Sequence, residues 1–328
     1  MFERLLFLGP HNVKITNYPI DKPFALFNAG AIKLRDDLLI LARATFGYYS
    51  YASALVEIKL PLAYFEEPKS DLKGLVKSLL VNTKKTFEGE LAIVPSQPYD
   101  LFGCEDPRLT LIDNKIHAVY TARLLDYPET GRVVPALAIR DRDGEWIKKG
   151  YFKYSVPVIS DKNAFLIKYR GRLLLFHRVE ISKEIFKMLI SEIDRKDLEV
   201  IEDRVISFEK LGVDAKRIGW GTPPIKVGSD YLMMIHSAGK EDFVYRGHFL
   251  LMNKNLEIEG ISKPILQPET IEEKYGDRPM VVFPTGLVEL NKDYGLVVYG
   301  ASDSFVGIAR FSIEEAIEST KEITPKEE

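Results

Sequence analysis

Five times along the chain a polar start is followed by a short apolar run, a tight polar turn, a second apolar run and a polar end. These units span residues 28–43, 106–122, 163–178, 221–236 and 284–299, with turns centred near Asp36, Asn114, Gly171, Ser229 and Lys292. The last four turns recur about every 60 residues, and a fixed period of that size marks a repeat architecture. Each unit predicts a β-hairpin. Its second half is an unbroken apolar run, as in Leu38-Leu-Ile-Leu, Leu173-Leu-Leu-Phe and Tyr231-Leu-Met-Met-Ile, which suits a strand buried on both faces. Further strand pairs fall between the units, over 133–150 with Asp143-Gly144 at the turn, and over 245–261 across Asn253-Lys-Asn255. Residues 71–80 and 185–193 carry apolar side chains at helical spacing and predict helices. A third helix is predicted over 312–317, opened by Ser312 and Glu315 in capping-box spacing.

Five antiparallel units arranged radially give an all-β fold, a five-bladed β-propeller with short helical insertions. The expected organisation is one domain over 1–328 with a polar tail at 322–328, and residues 4–15 are placed to close the last blade as an added strand. A pair of β-sandwiches is the competing arrangement, but it gives no reason for one hairpin to return at near-equal spacing.

Composition acts mainly by exclusion. A net charge of −3 and a pI near 6.1 argue against nucleic acid or an anionic membrane as the main partner. No apolar run approaches the ~18 residues of a membrane span, and the N-terminal run is too short for a secretory signal, so a cytoplasmic protein is expected. The single cysteine, Cys104, reads as a small apolar filler, since no histidine is identifiable as its base. His11, His117, His177, His236 and His248 lack the close spacing of a zinc site, so no metal is expected. There is no Walker loop, Rossmann glycine fingerprint or G-x-S-x-G elbow.

The candidate chemistry follows from hairpin geometry. A hairpin begins and ends at one edge, so the polar ends of all five units meet at one mouth of the propeller. That inventory is Asn28 and Arg43; Glu105, Asp106, Arg108 and Arg123; Asn163, His177 and Arg178; Arg217 and His236; and Asp303. A concave site with convergent polar groups is the default ligand pocket. The sharpest local motif is Gly103-Cys-Glu-Asp-Pro-Arg108, an acid pair whose arginine could clamp a carboxylate in bidentate fashion. Its bland alternative is an Asp-Pro turn with a surface ion pair. His117, inside an apolar strand, reads as structural, whereas His177 and His236 occupy equivalent strand ends. Aromatics crowd the same region: Phe46 to Tyr51, Tyr99, Phe102 and Trp220. Aromatic faces beside polar groups suit sugars, although most aromatics simply fill cores.

These residues carry a resemblance. Gly103-Cys-Glu-Asp-Pro-Arg108 with Tyr120-Thr-Ala122, Lys162-Asn-Ala164, His177-Arg178, Lys216-Arg-Ile-Gly219 with Pro223-Pro-Ile225, and Phe283-Pro-Thr-Gly286 with Tyr299-Gly-Ala-Ser-Asp303 resemble glycoside hydrolase family 130. These are mannoside phosphorylases and related mannosidases on a five-bladed propeller, and the matches run in order from Phe27-Asn28 to Asp303. The resemblance implies inverting phosphorolysis of a β-mannoside to α-mannose 1-phosphate, with Asp106 as general acid. It implies that Arg178, Arg217 and Lys162 hold phosphate, with Arg217 standing where the family usually has Lys. Asn163, Tyr245 and Asp303 match sugar-holding positions, and Asn28, Arg43, Glu105, Arg108, His177 and His236 are expected substrate contacts. Inorganic phosphate is then a co-substrate and no further cofactor is expected; a homo-oligomer is compatible. Two departures stand out. The segment 166–168 is about two residues shorter than usual, and Val-Glu-Ile follows Arg178 where Pro is common, bringing Glu180 near the phosphate. An inverting β-mannosidase with Glu180 as base therefore remains an alternative, as does a sugar-binding propeller without catalysis.

Overall fold

A computed structural model describes residues 2–47, 52–66, 85–155, 158–183, 185–206, 213 and 215–321. Among them, five sheets, antiparallel but for one added strand, are arranged as the blades of a propeller. The innermost strands are Ala25–Leu34, Cys104–Ile112, Ser160–Tyr169, the broken pair Arg217–Trp220 and Ile225–Val227, and Val282–Glu289. Each pairs with the strand after its turn: Asp37–Thr45, Lys115–Arg123, Arg172–Ser182, Asp230–Ala238 and Tyr294–Ala301. The five hairpins read from the sequence are the inner hairpins of the five blades. Their turns use left-handed residues where a two-residue turn needs them, as at Asp113 (φ 50°) with Asn114 (59°), and Arg170 (47°) with Gly171 (80°).

The apolar runs are explained by five clusters, one in each seam between neighbouring blades. A blade is covered on both sides, so its central strands bury successive residues: Leu38, Leu39, Ile40 and Leu41 are all 0% exposed. Each such side chain contributes about 1.5–3 kcal/mol relative to exposure. In the seam between blades three and four, Phe165 and Phe176 stack at 4.8 Å and Trp220 meets Phe176 edge-on at 5.0 Å.

Ring closure is divided. Glu3–Leu8 joins the outer edge of blade five beside Phe305–Ser312, as expected for the N-terminal segment. Val13–Ile15 instead pairs in parallel with Phe87–Ile93 on blade one, so the N-terminal chain ties the first and last blades together. The pairs Val133–Arg140 with Trp146–Tyr151 and Tyr245–Met252 with Ile258–Ile261 form the outer halves of blades two and four.

One helix expectation is overturned. Ile185–Ile193 is the third strand of blade three, paired with Arg172–Ser182 and Val200–Ile206. Sandwiched between neighbours, it buries Met188, Leu189, Ile190 and Ser191 in succession, and that loss of alternation mimics a helical stripe. The C-terminal helix is present as Ile313–Thr320, and the Ser312 side chain accepts from Glu315 N at its start. The expected helix over 71–80, Tyr48 to Tyr51 of the aromatic segment and the tail 322–328 lie outside the described residues.

Candidate active site

Three blades present a polar side chain by the same device. The pairing register skips between Phe27 and Gly30, Glu105 and Arg108, and Lys162 and Phe165. Inside those bulges sit Asn28 (φ 47°), Asp106 (φ 45°) and Asn163 (φ 57°). Asn and Asp tolerate the left-handed region best among non-glycine residues, and a bulge re-aims the side chain it carries. The polar starts of the first three units are therefore equivalent positions. Asn28 also needs Gly300, where a Cβ would lie 1.8 Å from its Oδ1.

Blades one and two form an acid half in which charges are matched. Asp106 Oδ1 accepts from Asn28 Nδ2 at 2.9 Å and from Arg43 Nη1 at 3.2 Å. Arg43 Nη2 donates to Glu105 Oε1 at 2.7 Å, and Arg123 pairs with the same oxygen. Arg43 Nε donates to Ser53 Oγ at 3.2 Å, which itself donates to the Cys104 carbonyl at 2.9 Å. Burial pushes the Asp106 carboxyl up, but Arg43, Arg108 and the Asn28 amide outweigh it and hold it below the usual carboxylate range. Asp303, across the mouth, goes the other way. Burial raises it to about 6, with Asp106 adding repulsion against the pull of Arg43 and Arg278.

Arg108 departs from expectation. It clamps no carboxylate: Nε donates to the Gly221 carbonyl at 3.1 Å and Nη1 to the Asp106 carbonyl at 2.6 Å. It thus ties the acid's own backbone to blade four across the mouth, with Phe283 5.5 Å from its guanidinium. Burial, reinforced by the charge of Arg178, lowers it to about 10 despite Asp106.

Blades three and four form a cation half. Burial brings Lys162 down to about 8, and Arg178 and Arg217 push the same way. Glu105 and Asp106 act on Lys162 in opposition, so the two halves share one field. Arg178 falls to about 10 through burial and the charge of Arg217. Its Nη1 donates to the Ile218 carbonyl at 3.3 Å, and its Nε has no hydrogen-bond partner among the described residues. Among the described residues, none of Lys162, Arg178 and Arg217 has a carboxylate within 4.0 Å. The Phe186 ring lies 4.7 Å from the Arg178 guanidinium and 5.6 Å from that of Arg217, one aromatic face serving both.

His236 lies between Tyr245 and Phe283, at 6.1 Å and 4.4 Å between ring centroids. Its Nε2 is 3.4 Å from Asn163 Nδ2, and its Nδ1 has no partner among the described residues. Burial and the charges of Arg178, Arg108 and Lys162 depress it well below the ordinary histidine value, so the imidazole is neutral. Gly219 passes close beneath: a Cβ there would meet Asn163 and His236 at 2.5 Å.

His177 does not join the site. Its Nδ1 is 2.8 Å from Asp161 Oδ2, its Nε2 is 2.6 Å from Ser191 Oγ, and the side chain is fully buried. Neighbours on a strand point to opposite faces, so Arg178 in the mouth turns His177 into the blade. The expected substrate contact is corrected to a clamp between the first three strands of blade three. Cys104 is buried, and burial with the nearby Asp100 charge pushes its thiol well up, against nucleophilic use. His117 bonds the Lys115 carbonyl at 3.1 Å, away from the mouth. Sequence reading missed Phe186, hidden in the segment taken for a helix, and Ser53 and Arg278, which carry no motif. Arg278 lies 4.6 Å from the Tyr245 ring and acts on Asp303.

Residues 1–322 match the family model described as beta-1,4-mannooligosaccharide phosphorylase. A beta-1,2-mannobiose phosphorylase of Thermoanaerobacter sp. (strain X514) is 31% identical over 228 residues, covering 66% of this chain and 69% of the relative. A 1,2-beta-oligomannan phosphorylase of the same strain is 28% identical over 221 residues, covering 66% and 70%. Among solved structures, the beta-1,2-mannobiose phosphorylase from Listeria innocua in complex with beta-1,2-mannobiose is similar with a TM-score of 0.71. That match covers 98% of this chain and 99% of the other at 22% identity. A mannose phosphorylase from Leishmania mexicana, in complex with phosphate ion, gives a TM-score of 0.61 over 96% and 92% at 16% identity.

Proposed function

The chain belongs to glycoside hydrolase family 130, the β-mannoside phosphorylase family, and from that premise and the geometry of the mouth we propose that it cleaves a β-mannoside by inverting phosphorolysis with Asp106 as general acid. One observation carries this reading. A furnished acid stands opposite Lys162, Arg178 and Arg217, three cations with no carboxylate within 4.0 Å among the described residues. Cations held out of water are costly unless an anion joins them, and a phosphate would supply that anion. Among the described residues, Arg178 Nε, Arg108 Nη2, His236 Nδ1 and Asn28 Oδ1 are buried without partners, and each such group costs about 1–3 kcal/mol until satisfied. Phosphate oxygens and sugar hydroxyls have the complementary groups.

In this reading a phosphate oxygen attacks the anomeric carbon from the cation half while the bond to the glycosidic oxygen breaks. The proton leaves Asp106, passes through a hydroxyl of the bound mannose and arrives on that oxygen. α-Mannose 1-phosphate and the shortened acceptor are the products. The low proton affinity of Asp106 before phosphate arrives fits an ordered scheme. A bound phosphate neutralises Lys162, Arg178 and Arg217 and adds negative charge, both of which raise Asp106 and load its proton. Arg43 and Glu105 hold the acid in place, and neutral His236, Asn163, Tyr245 and Asp303 offer the sugar a mixture of donors and acceptors.

Incubation with β-1,2- and β-1,4-mannobiose, with and without phosphate, tests the reading. Mannose 1-phosphate formed only with phosphate is the expected result. Free mannose in both tubes would favour hydrolysis, for which Glu180 is the acid whose charge acts on Arg178. Binding without turnover would leave a sugar-binding propeller.

A further inference from the structure

The end of blade two that carries the acids also carries a separate cleft of about 750 Å³, within the ~300–1,000 Å³ range of small-ligand sites. Tyr99, Phe102 and Tyr151 supply aromatic walls, Leu125 an exposed edge, and Asp126 and Glu129 two carboxylates. Tyr99 and Tyr151 lie 5.5 Å apart at a tilt of 42°, leaving angled ring faces rather than a filled stack.

The cleft's lining adjoins the acid half along the chain. Phe102 stands two residues before the inner strand Cys104–Ile112, whose second and third residues are Glu105 and Asp106. Arg123, which pairs with Glu105, ends the strand from which Leu124, Leu125 and Asp126 follow. Tyr151 ends the outermost strand of the same blade. The wall is also built to stay in place. Fully buried Asp100 accepts from Ser96 N at 3.0 Å, Gln97 N at 2.9 Å and the Tyr120 hydroxyl at 2.8 Å, and pairs with Lys148. A cleft that is already ordered loses little entropy on binding.

Resting on the phosphorolysis reading, we propose that this cleft holds the distal mannosyl units of a β-mannoside longer than the disaccharide, whose terminal sugar sits at Asp106. Ring faces suit the apolar C–H face of a pyranose, and carboxylates accept from its hydroxyls. Asp126 is paired with Arg132 at 3.0 Å, so Glu129 is the carboxylate that disfavours phosphate here, which leaves the anion to the cation half. The concavity and its acidic rim fit an oligosaccharide better than a second copy of this acidic chain.

The test compares wild type with Tyr151→Ala and with Leu125→Asp, the latter at an exposed position where folding is not at stake. The kcat/KM for β-mannotetraose relative to that for β-mannobiose is expected to fall about tenfold in both variants, with the mannobiose value unchanged. An unchanged ratio overturns the proposal. So does a change from oligomer to monomer in sedimentation for Leu125→Asp with the ratio unaltered, which would make this face an interface between copies. If wild type yields no mannose 1-phosphate from mannobiose, the phosphorolysis reading fails by itself. The cleft is then judged by calorimetry with β-mannotetraose: about tenfold weaker binding in Leu125→Asp supports it and equal binding overturns it.

Discussion

The two halves of the mouth solve opposite electrostatic problems. On blades one and two, Glu105 and Asp106 are matched by Arg43 and Arg123. On blades three and four, the charges of Arg178 and Arg217 lower Lys162 and that of Arg217 lowers Arg178, with Phe186 as the shared neighbour of the two guanidiniums. Matched charges hold a reacting group still, whereas unmatched sheltered charges store free energy that a ligand can release. Under the proposed phosphorolysis, the first half acts on the bond and the second receives the nucleophile.

The largest expected effect comes from removing the proton. Asp106→Asn keeps the shape of the side chain but not the acid, and turnover should fall by about 10²–10⁴-fold while the fold is retained by circular dichroism. Near-normal rates would reject its role and erase the division of labour. Next, Arg178→Ala should raise the KM for phosphate by about 10²-fold while the KM for the mannoside moves much less. Equal changes in both constants would mean that the cation half does not discriminate between the two substrates.

Stability gives a third comparison, because Asp303 sits in the mouth with its carboxyl raised to about 6. At about pH 3 and below it is protonated in folded and unfolded chains alike and has no effect on stability. Between about pH 4 and pH 6 the unfolded chain ionises it while the native state holds its proton, so the native state is increasingly penalised, and above about pH 6 the penalty is complete. Asp303→Asn should therefore be more stable than wild type by up to about 2 kcal/mol at pH 8 and about equal at pH 3, measured by urea unfolding. A difference independent of pH would show that burial does not strain this acid. The smallest effect is expected at Phe186→Leu, which leaves the charges but removes the ring between them. About a 3- to 10-fold rise in the phosphate KM, with kcat for the mannoside preserved, corresponds to one cation–π contact. No change would mean that Arg178 and Arg217 are held by the backbone alone.

Legibility varied with the kind of signal. The five inner hairpins could be read because blades bury both faces of their central strands, which produces apolar runs cut by turn residues. Asn28, Asp106 and Asn163 could be read as unit starts because each bulge interrupts such a run with a polar residue. The same double burial misled at Ile185–Ile193, where a strand without alternation imitated a helix. Arg108 was found but its task was not, since the Gly221 carbonyl it holds is 113 residues away and backbone acceptors leave no trace in sequence. His177 was placed one face wrong, because which neighbour of Arg178 points into the mouth depends on the bulge at Asn163.

By itself the amino-acid sequence determined the repeat, the all-β architecture and the supply of acids and cations at the hairpin ends. Those follow from local rules: where apolar runs stop, chains turn, and turns recur. Tertiary structure alone decided which acids are paired, which cations are left without a partner, and which histidine faces the mouth. Those outcomes depend on distances between blades and on the register of individual bulges, and electrostatic energy falls off with separation in space rather than along the chain.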